Sequence, residues 1–207
     1  MGDRALVRET RGEDLSTRNA AARTLRERIA ALELSQVEDV IVGAASILVV
    51  LEPGAEPPAE LLSVLEEGAS PPMASSRKPR MHEVEVTYGG AAGPDLAEVA
   101  RLHGTTEREV VSRHASARYT VGFLGFMPGF AYLIGLPAEL TTPRLSTPRT
   151  RVAAGSVAIG GEFTGIYPQA TPGGWRIIGR ADVALFDVNL DPPARLVPGD
   201  LVKLVPR

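Results

Sequence analysis

The sequence predicts an α+β protein: a small split-βαβ domain over residues 1–80, then a compact β-barrel or sandwich domain over residues 81–207. Three observations carry this. Up to Tyr88 the elements read β-α-β-β-α-β. After Tyr119, short apolar runs alternate with glycine and proline turns. Nine of the ten aromatic residues lie from Tyr119 onward, leaving only Tyr88 outside, and 12 of 21 glycines and 10 of 17 prolines follow residue 120.

The first domain follows from local patterning. Ala5–Arg8 is a short strand. Ser16 or Thr17 can cap a helix running to about Leu34, with Leu25, Ile29 and Leu32 on one face. Val37–Val42 and Ser46–Leu51 are strands, the second stopped by Pro53 and Gly54. Pro57-Pro58 opens a short helix through Glu66, because proline in the first turn loses no needed donor. Gly68 through Pro79 reads as a linker. His82–Tyr88 alternates cleanly, but its pattern does not say which of the two sheets it joins.

In the second part, Pro94–His103 and Thr106–His114 read as helices around Gly104, with Thr106 and Glu109 spaced as a capping box. The expected strands are Tyr119–Phe123, Ser156–Ile159, Trp175–Ile178, Ala184–Phe186 and Leu201–Val205.

Composition excludes several functions. There is no cysteine, hence no disulfide, thiolate metal site or cysteine nucleophile. The three histidines, His82, His103 and His114, lack metal-ligand spacing, so no metal is expected. With only Lys78 and Lys203, no Gly-x-x-x-x-Gly-Lys phosphate loop exists. The segment Leu96–Thr106 has the outline of a helix-turn-helix, but the following helix carries mixed charge. Residues 1–118 hold 19 acids against 14 bases, which opposes nucleic acid. No run is long and apolar enough to span a bilayer, and the start lacks the apolar core of a signal peptide; a cytoplasmic protein is expected.

The chemistry concentrates after residue 118, where 8 bases face 6 acids. Arg144 and Arg149 follow prolines on neighbouring loops and suit fork-like binding of a carboxylate or phosphate. Gly155, Ser156, Gly173 and Gly174 can bring backbone or hydroxyl donors close to an anion. Tyr167 and Trp175 can wall a flat small ligand. His114 closes a helix just before this region and is a candidate for the site's rim, where a helix C-terminus favours its charged form. No catalytic set is visible: no histidine follows residue 114, and Gly155-Ser156-Val157 lacks the second glycine of a nucleophile elbow.

Gly125-Phe126-Met127-Pro128-Gly129-Phe130-Ala131-Tyr132-Leu133 resembles the family of bacterial 5-oxoprolinase B-type subunits, also known as the sporulation kinase A inhibitor or allophanate hydrolase subunit 1 family. The resemblance continues through Pro143-Arg144, Pro148-Arg149, Gly155-Ser156-Val157, Gly165-Ile166-Tyr167-Pro168, Pro172-Gly173-Gly174-Trp175 and Pro198-Gly199-Asp200. It departs from the family pattern at Ala153, Phe163 and Ala181, where proline, glutamine and threonine are usual. The resemblance implies a cyclophilin-like β-barrel as the second domain. It implies two partners, a C-type subunit with a related barrel and an A-type subunit, and ATP-dependent opening of the lactam 5-oxoproline to L-glutamate. By this reading the ATP site falls in the partner or is shared with it. The family's other naming implies an alternative, inhibition of a sensor histidine kinase bound through the barrel.

Overall fold

A computed structural model describes residues 4–69 and 77–207. The expected linker lies mostly outside these residues. The chain divides into two compact units, Met1–Lys78 and Pro79–Arg207. Among the described residues, no helix is long and apolar enough to cross a membrane.

The first unit holds β1 (Ala5–Glu9), α1 (Leu15–Ala30), β2 (Val37–Val42), β3 (Ser46–Leu51) and α2 (Ala59–Glu67). Its sheet runs β1-β3-β2, with β3 antiparallel to both neighbours. Strands β1 and β2 are thus parallel, joined across α1, with β3 inserted between them; this is the split-βαβ arrangement. Ile47, Val49 and Leu51 alternate along β3 and pack with Leu25 and Ile29 of α1 and Leu61 and Leu65 of α2. Pro58 is the residue that caps α2, as the Pro-Pro pair predicts.

Both ends of α1 differ from expectation. The cap is Asp14, whose Oδ1 accepts the Thr17 N–H at 2.7 Å, rather than Ser16 or Thr17. That hydrogen bond holds the Asp14 carboxyl below the usual carboxylate range. The helix stops at Ala30, not Leu34. There the N–H groups of Leu32 and Glu33 turn to carbonyls three residues back, on Ile29 and Ala30, so the last turn tightens and closes. Asp14→Ala is expected to lower the unit's melting midpoint by about 2–4 °C in a thermal scan followed by circular dichroism. Asp14→Ser is expected to keep the native midpoint.

The second unit comprises β4 (Met81–Tyr88), α3 (Leu96–Leu102), α4 (Glu107–Ser116), β5 (Tyr119–Leu124), β6 (Ala131–Ile134), β7 (Arg149–Val152), β8 (Ser156–Gly160), β9 (Phe163–Ile166), β10 (Thr171–Gly173), β11 (Arg176–Arg180) and β12 (Leu201–Pro206). Seven strands close a barrel in the order β11-β4-β12-β5-β6-β9-β8, with β8 pairing back to β11. Strands β7 and β10 form a separate ribbon. Strand β4 therefore belongs to the barrel. It runs parallel to β12, from Met81 opposite Leu201 to Val86 opposite Pro206. The turn Pro198-Gly199-Asp200 fixes that pairing: buried Asp200 accepts the Arg80 N–H at 3.0 Å and lies 3.0 Å from His82 Nε2.

The barrel core gathers Val84, Val86, Tyr119, Val121, Leu133, Val157 and Leu204. The helices α3 and α4 lay Leu96, Val99, Ala100 and Val110 against Ile159 and Ile178 of the barrel. Their apolar faces are consumed in that packing, and Thr106 caps α4 by accepting the Glu109 N–H. One expected strand, Ala184–Phe186, is absent. It is a loop with one isolated bridge between Phe186 and Ala194. The loop hydrogen-bonds to itself, Arg195 N–H to Leu185 carbonyl and Asp187 N–H to Pro193 carbonyl, and drops Leu185 and Leu196 into the barrel core. Its backbone is satisfied internally, so it needs no ladder partner.

Candidate functional site

Seven of the aromatic residues, Phe123, Phe126, Phe130, Tyr132, Phe163, Tyr167 and Trp175, build one cluster. Phe130 is buried and stands edge-on to Tyr132, Tyr167 and Trp175, with centroids 5.1, 5.3 and 5.4 Å away. Tyr132 meets Trp175 edge-on at 5.6 Å. These edge-to-face contacts pair positive ring edges with negative faces and lock the rings to one another.

The glycines make room for these rings. A Cβ on Gly160 would lie 2.4 Å from the indole of Trp175, and one on Gly173 would lie 2.6 Å from the Tyr167 hydroxyl. On Gly165 it would lie 3.0 Å from the Phe130 ring. Gly173 is therefore not the open anion cradle that the sequence suggests, because the Tyr167 ring occupies the space beside its backbone.

A cavity of about 70 Å³ opens in this cluster. The rings of Phe126, Phe130, Tyr132, Tyr167 and Trp175 line it together with Arg144, Gly173 and Gly174. The Arg144 guanidinium stands over the Trp175 ring, 6.0 Å from its centroid, a cation–π contact. Arg144 is exposed and has no ion-pair partner among the described residues. Burial raises the pKa of both Tyr132 and Tyr167, and the nearby Arg144 charge opposes the rise. The Trp175 backbone N–H, directed at the Tyr167 hydroxyl, opposes it as well. Both phenols thus stay protonated at neutral pH.

Of the residues singled out in the sequence, Arg144, Tyr167, Gly173, Gly174 and Trp175 meet at this cavity. The others do not line it. Arg149 is held by Asp95 at 2.6 Å, and the other Asp95 oxygen accepts the Ile177 N–H at 2.7 Å. The guanidinium anchors β7 through a carboxylate that is only 7% exposed. Gly155 has φ of +80°, and a Cβ there would come within 2.2 Å of the Ala181 carbonyl. Its N–H donates to Tyr167 carbonyl, and the Ser156 carbonyl accepts from Tyr167 N–H. Both positions are spent on the barrel's own backbone network.

His114 is not at a rim. It is fully buried, with Nδ1 2.8 Å from the Tyr88 hydroxyl and Nε2 2.9 Å from Thr164 Oγ1. Burial pushes its pKa down to about 3, so it is neutral, against the expectation of a helix-end cation. Thr164 Oγ1 gives its one proton to the Ala158 carbonyl at 3.0 Å. It must therefore accept from His114 Nε2–H, which leaves Nδ1 to accept from Tyr88.

Sequence reasoning missed Phe126, Phe130 and Tyr132 as lining residues, although all three lie in the motif Gly125–Leu133. It also missed Asp95. A signal existed for the aromatics: three rings within seven residues around glycine and proline. For Asp95 none did, because its partners lie 54 and 82 residues away.

The cavity can hold a small flat ligand against aromatic walls, with two phenol donors and the Arg144 cation for a carboxylate. No carboxylate or imidazole lines it, so it holds no general base. Among the described residues no group of three His, Asp or Glu side chains could hold a metal ion. A larger groove, about 650 Å³, runs along β4, but it mixes Glu83, Glu85 and Asp182 with Arg180 and Arg195 and contains no aromatic wall. We assign the site to the smaller cavity because its polar groups converge on one apolar space.

The comparisons with known proteins agree with one another. Residues 1–196 match the family described as carboxyltransferase domain, subdomain C and D. The chain is 44% identical over 176 residues to the B-type subunit of 5-oxoprolinase from Escherichia coli O157:H7, covering 85% of this chain and 81% of that protein. It is 52% identical over 123 residues to the corresponding 5-oxoprolinase subunit of Haemophilus influenzae, covering 59% of this chain and 58% of that one. Among solved structures, TTHA0988 superposes with a TM-score of 0.83 at 32% identity; 99% of this chain spans 40% of that longer one. The conserved uncharacterized protein PH0987 from Pyrococcus horikoshii matches at 36% identity with a TM-score of 0.60, over 100% of this chain and 95% of its own. The aromatic motif, the barrel and these matches place the chain in the family of 5-oxoprolinase B-type subunits, within the carboxyltransferase subdomain C and D fold.

Proposed function

We propose that the chain is the B-type subunit of an ATP-dependent 5-oxoprolinase, an amidohydrolase component that acts with C-type and A-type subunits to open 5-oxoproline to L-glutamate. The observation that carries this reading is the 44% identity to such a 5-oxoprolinase subunit across most of both chains. The cavity supports it chemically. 5-Oxoproline is a small ring bearing one carboxylate and one amide. The aromatic walls take the ring, Arg144 takes the carboxylate, and the Tyr132 and Tyr167 hydroxyls can donate to the amide oxygen.

The chain's own role in this proposal is binding and orientation. With no base in the cavity, the groups that activate water belong to the partner subunits. ATP is assigned to the partner side of the assembly, and no step here passes through it.

The test is glutamate release by the purified subunits, with ATP and 5-oxoproline both present and each left out in turn. Release that needs all three chains is expected. Its absence with all three folded would overturn the proposal. Arg144→Met is expected to raise KM for 5-oxoproline about tenfold or more and to leave kcat close to native, because it removes one charge-assisted hydrogen bond from ground and transition states alike.

A further inference from the structure

We propose that Phe126 and Arg144 are the two jaws of the cavity mouth, and that a small cyclic amide bearing a carboxylate is captured between them, ring against ring and carboxylate against guanidinium. The ligand class rests on the 5-oxoprolinase reading; the roles of the two residues rest on geometry.

Phe126 departs from its surroundings in two ways. Its φ is +68°, in the left-handed region that a bulky side chain rarely adopts. The residue is 59% exposed, although the rings it touches are buried. It stands edge-on to Phe130 at 5.6 Å and to Tyr167 at 6.3 Å. The turn that carries it is pinned: Met127 N–H donates to Gly125 carbonyl at 2.8 Å, and Phe130 N–H to Met127 carbonyl at 3.1 Å. Gly129 presses on Phe186 so closely that a Cβ would lie 2.6 Å from that side chain's own Cβ. The fold thus imposes an unfavourable backbone on a residue that buries little in return. Strain of this kind persists at positions that serve a ligand. The other exposed side chain of the lining is Arg144, which reaches the same space from the loop before β7, over Trp175.

Trp175 is the chain's only tryptophan and lies in the cavity wall, so its emission reports occupancy without labels. The chain would be titrated with 5-oxoproline and with 2-pyrrolidinone, which has the same ring and no carboxylate. Native protein is expected to bind 5-oxoproline more tightly. Arg144→Met is expected to erase that preference, so that 5-oxoproline binds no more tightly than 2-pyrrolidinone. Phe126→Gly is expected to weaken both ligands about tenfold and to raise the melting midpoint by about 2 °C, because glycine adopts the positive φ freely.

Equal affinity in Phe126→Gly and native protein would overturn the role of Phe126. A lowered midpoint would do so too, by showing that the ring serves the fold. No response of native Trp175 to either ligand, beside glutamate release by the reconstituted enzyme, would overturn this cavity as the site and leave the enzyme assignment standing. Ligand binding without glutamate release would do the reverse.

Discussion

Gly160→Ala is expected to destabilise the barrel by about 3 kcal/mol, the upper range for an overpacked core, and to shift Trp175 emission. Gly160 ends β8 and is buried. Its added methyl would fall 2.4 Å from three indole atoms of Trp175. The indole cannot withdraw cheaply, because Phe130 and Tyr132 are edge-on to it at 5.4 and 5.6 Å. Either the strand or the aromatic cluster must move, and in both cases the cavity changes shape. Urea unfolding followed by Trp175 emission reads both effects. The neighbouring Gly161 is the control. Its φ is +64° and a Cβ there meets nothing within 4 Å. Gly161→Ala should therefore cost about 1 kcal/mol of backbone strain and leave the emission native. A Gly160→Ala protein with native stability and emission would contradict the packing argument.

The second large effect is on acid stability. His114 titrates at about 3 in the fold, against 6.5 for an ordinary histidine. Below pH 6.5 the unfolded chain gains a proton that the folded chain refuses. Stability is fully present above that pH and falls as pH drops toward 3, at up to about 1.4 kcal/mol per pH unit from this one group. The geometry explains the refusal. Both ring nitrogens are already committed, one accepting from Tyr88 and one donating to Thr164. A second ring proton would face the Tyr88 hydroxyl proton in a buried space. His114→Gln should flatten the pH dependence between about pH 6.5 and about pH 5. It should also lower stability at neutral pH by about 2 kcal/mol, since a buried polar partner is left poorly matched. Urea midpoints for native and variant across that window check both signs. Parallel curves for the two proteins would show that His114 does not carry the effect.

Much of the fold was legible because local patterns did not conflict with tertiary ones. Strand β3 spans Ser46–Leu51, α2 starts after Pro58, and Thr106 caps α4, each as patterning predicts. The misreadings share a cause. Arg144 and Arg149 look alike in sequence, each behind a proline. The fold separates them, because Asp95, distant in the chain, claims Arg149, while Arg144 stays exposed. Gly155 and Gly173 look like donors to an anion, but the Ala181 carbonyl presses on the first and the Tyr167 ring on the second. His114 has the spacing of a helix-end histidine, yet the barrel encloses it. In these cases a neighbour from another segment of the chain decided the role. Strands β6, β7, β9 and β10 escaped notice because they hold three or four residues each, too few to display a period.

The parallel pairing of β4 with β12 bears on how the protein is made. Residues 81–86 leave the ribosome well over a hundred residues before their partners at 201–206. Until then its only strand pairing is the two-residue register with β11. Tyr119 and Val121, which pair with or bond to the β12 region, wait on the same event. The first unit closes through neighbours within some 45 residues and can be complete while the barrel is still open. Closure is thus a late, long-range step, of the slow kind set by contact order. Nascent chains halted before residue 201 should present an unfinished barrel to chaperones and proteases, beside a finished first unit.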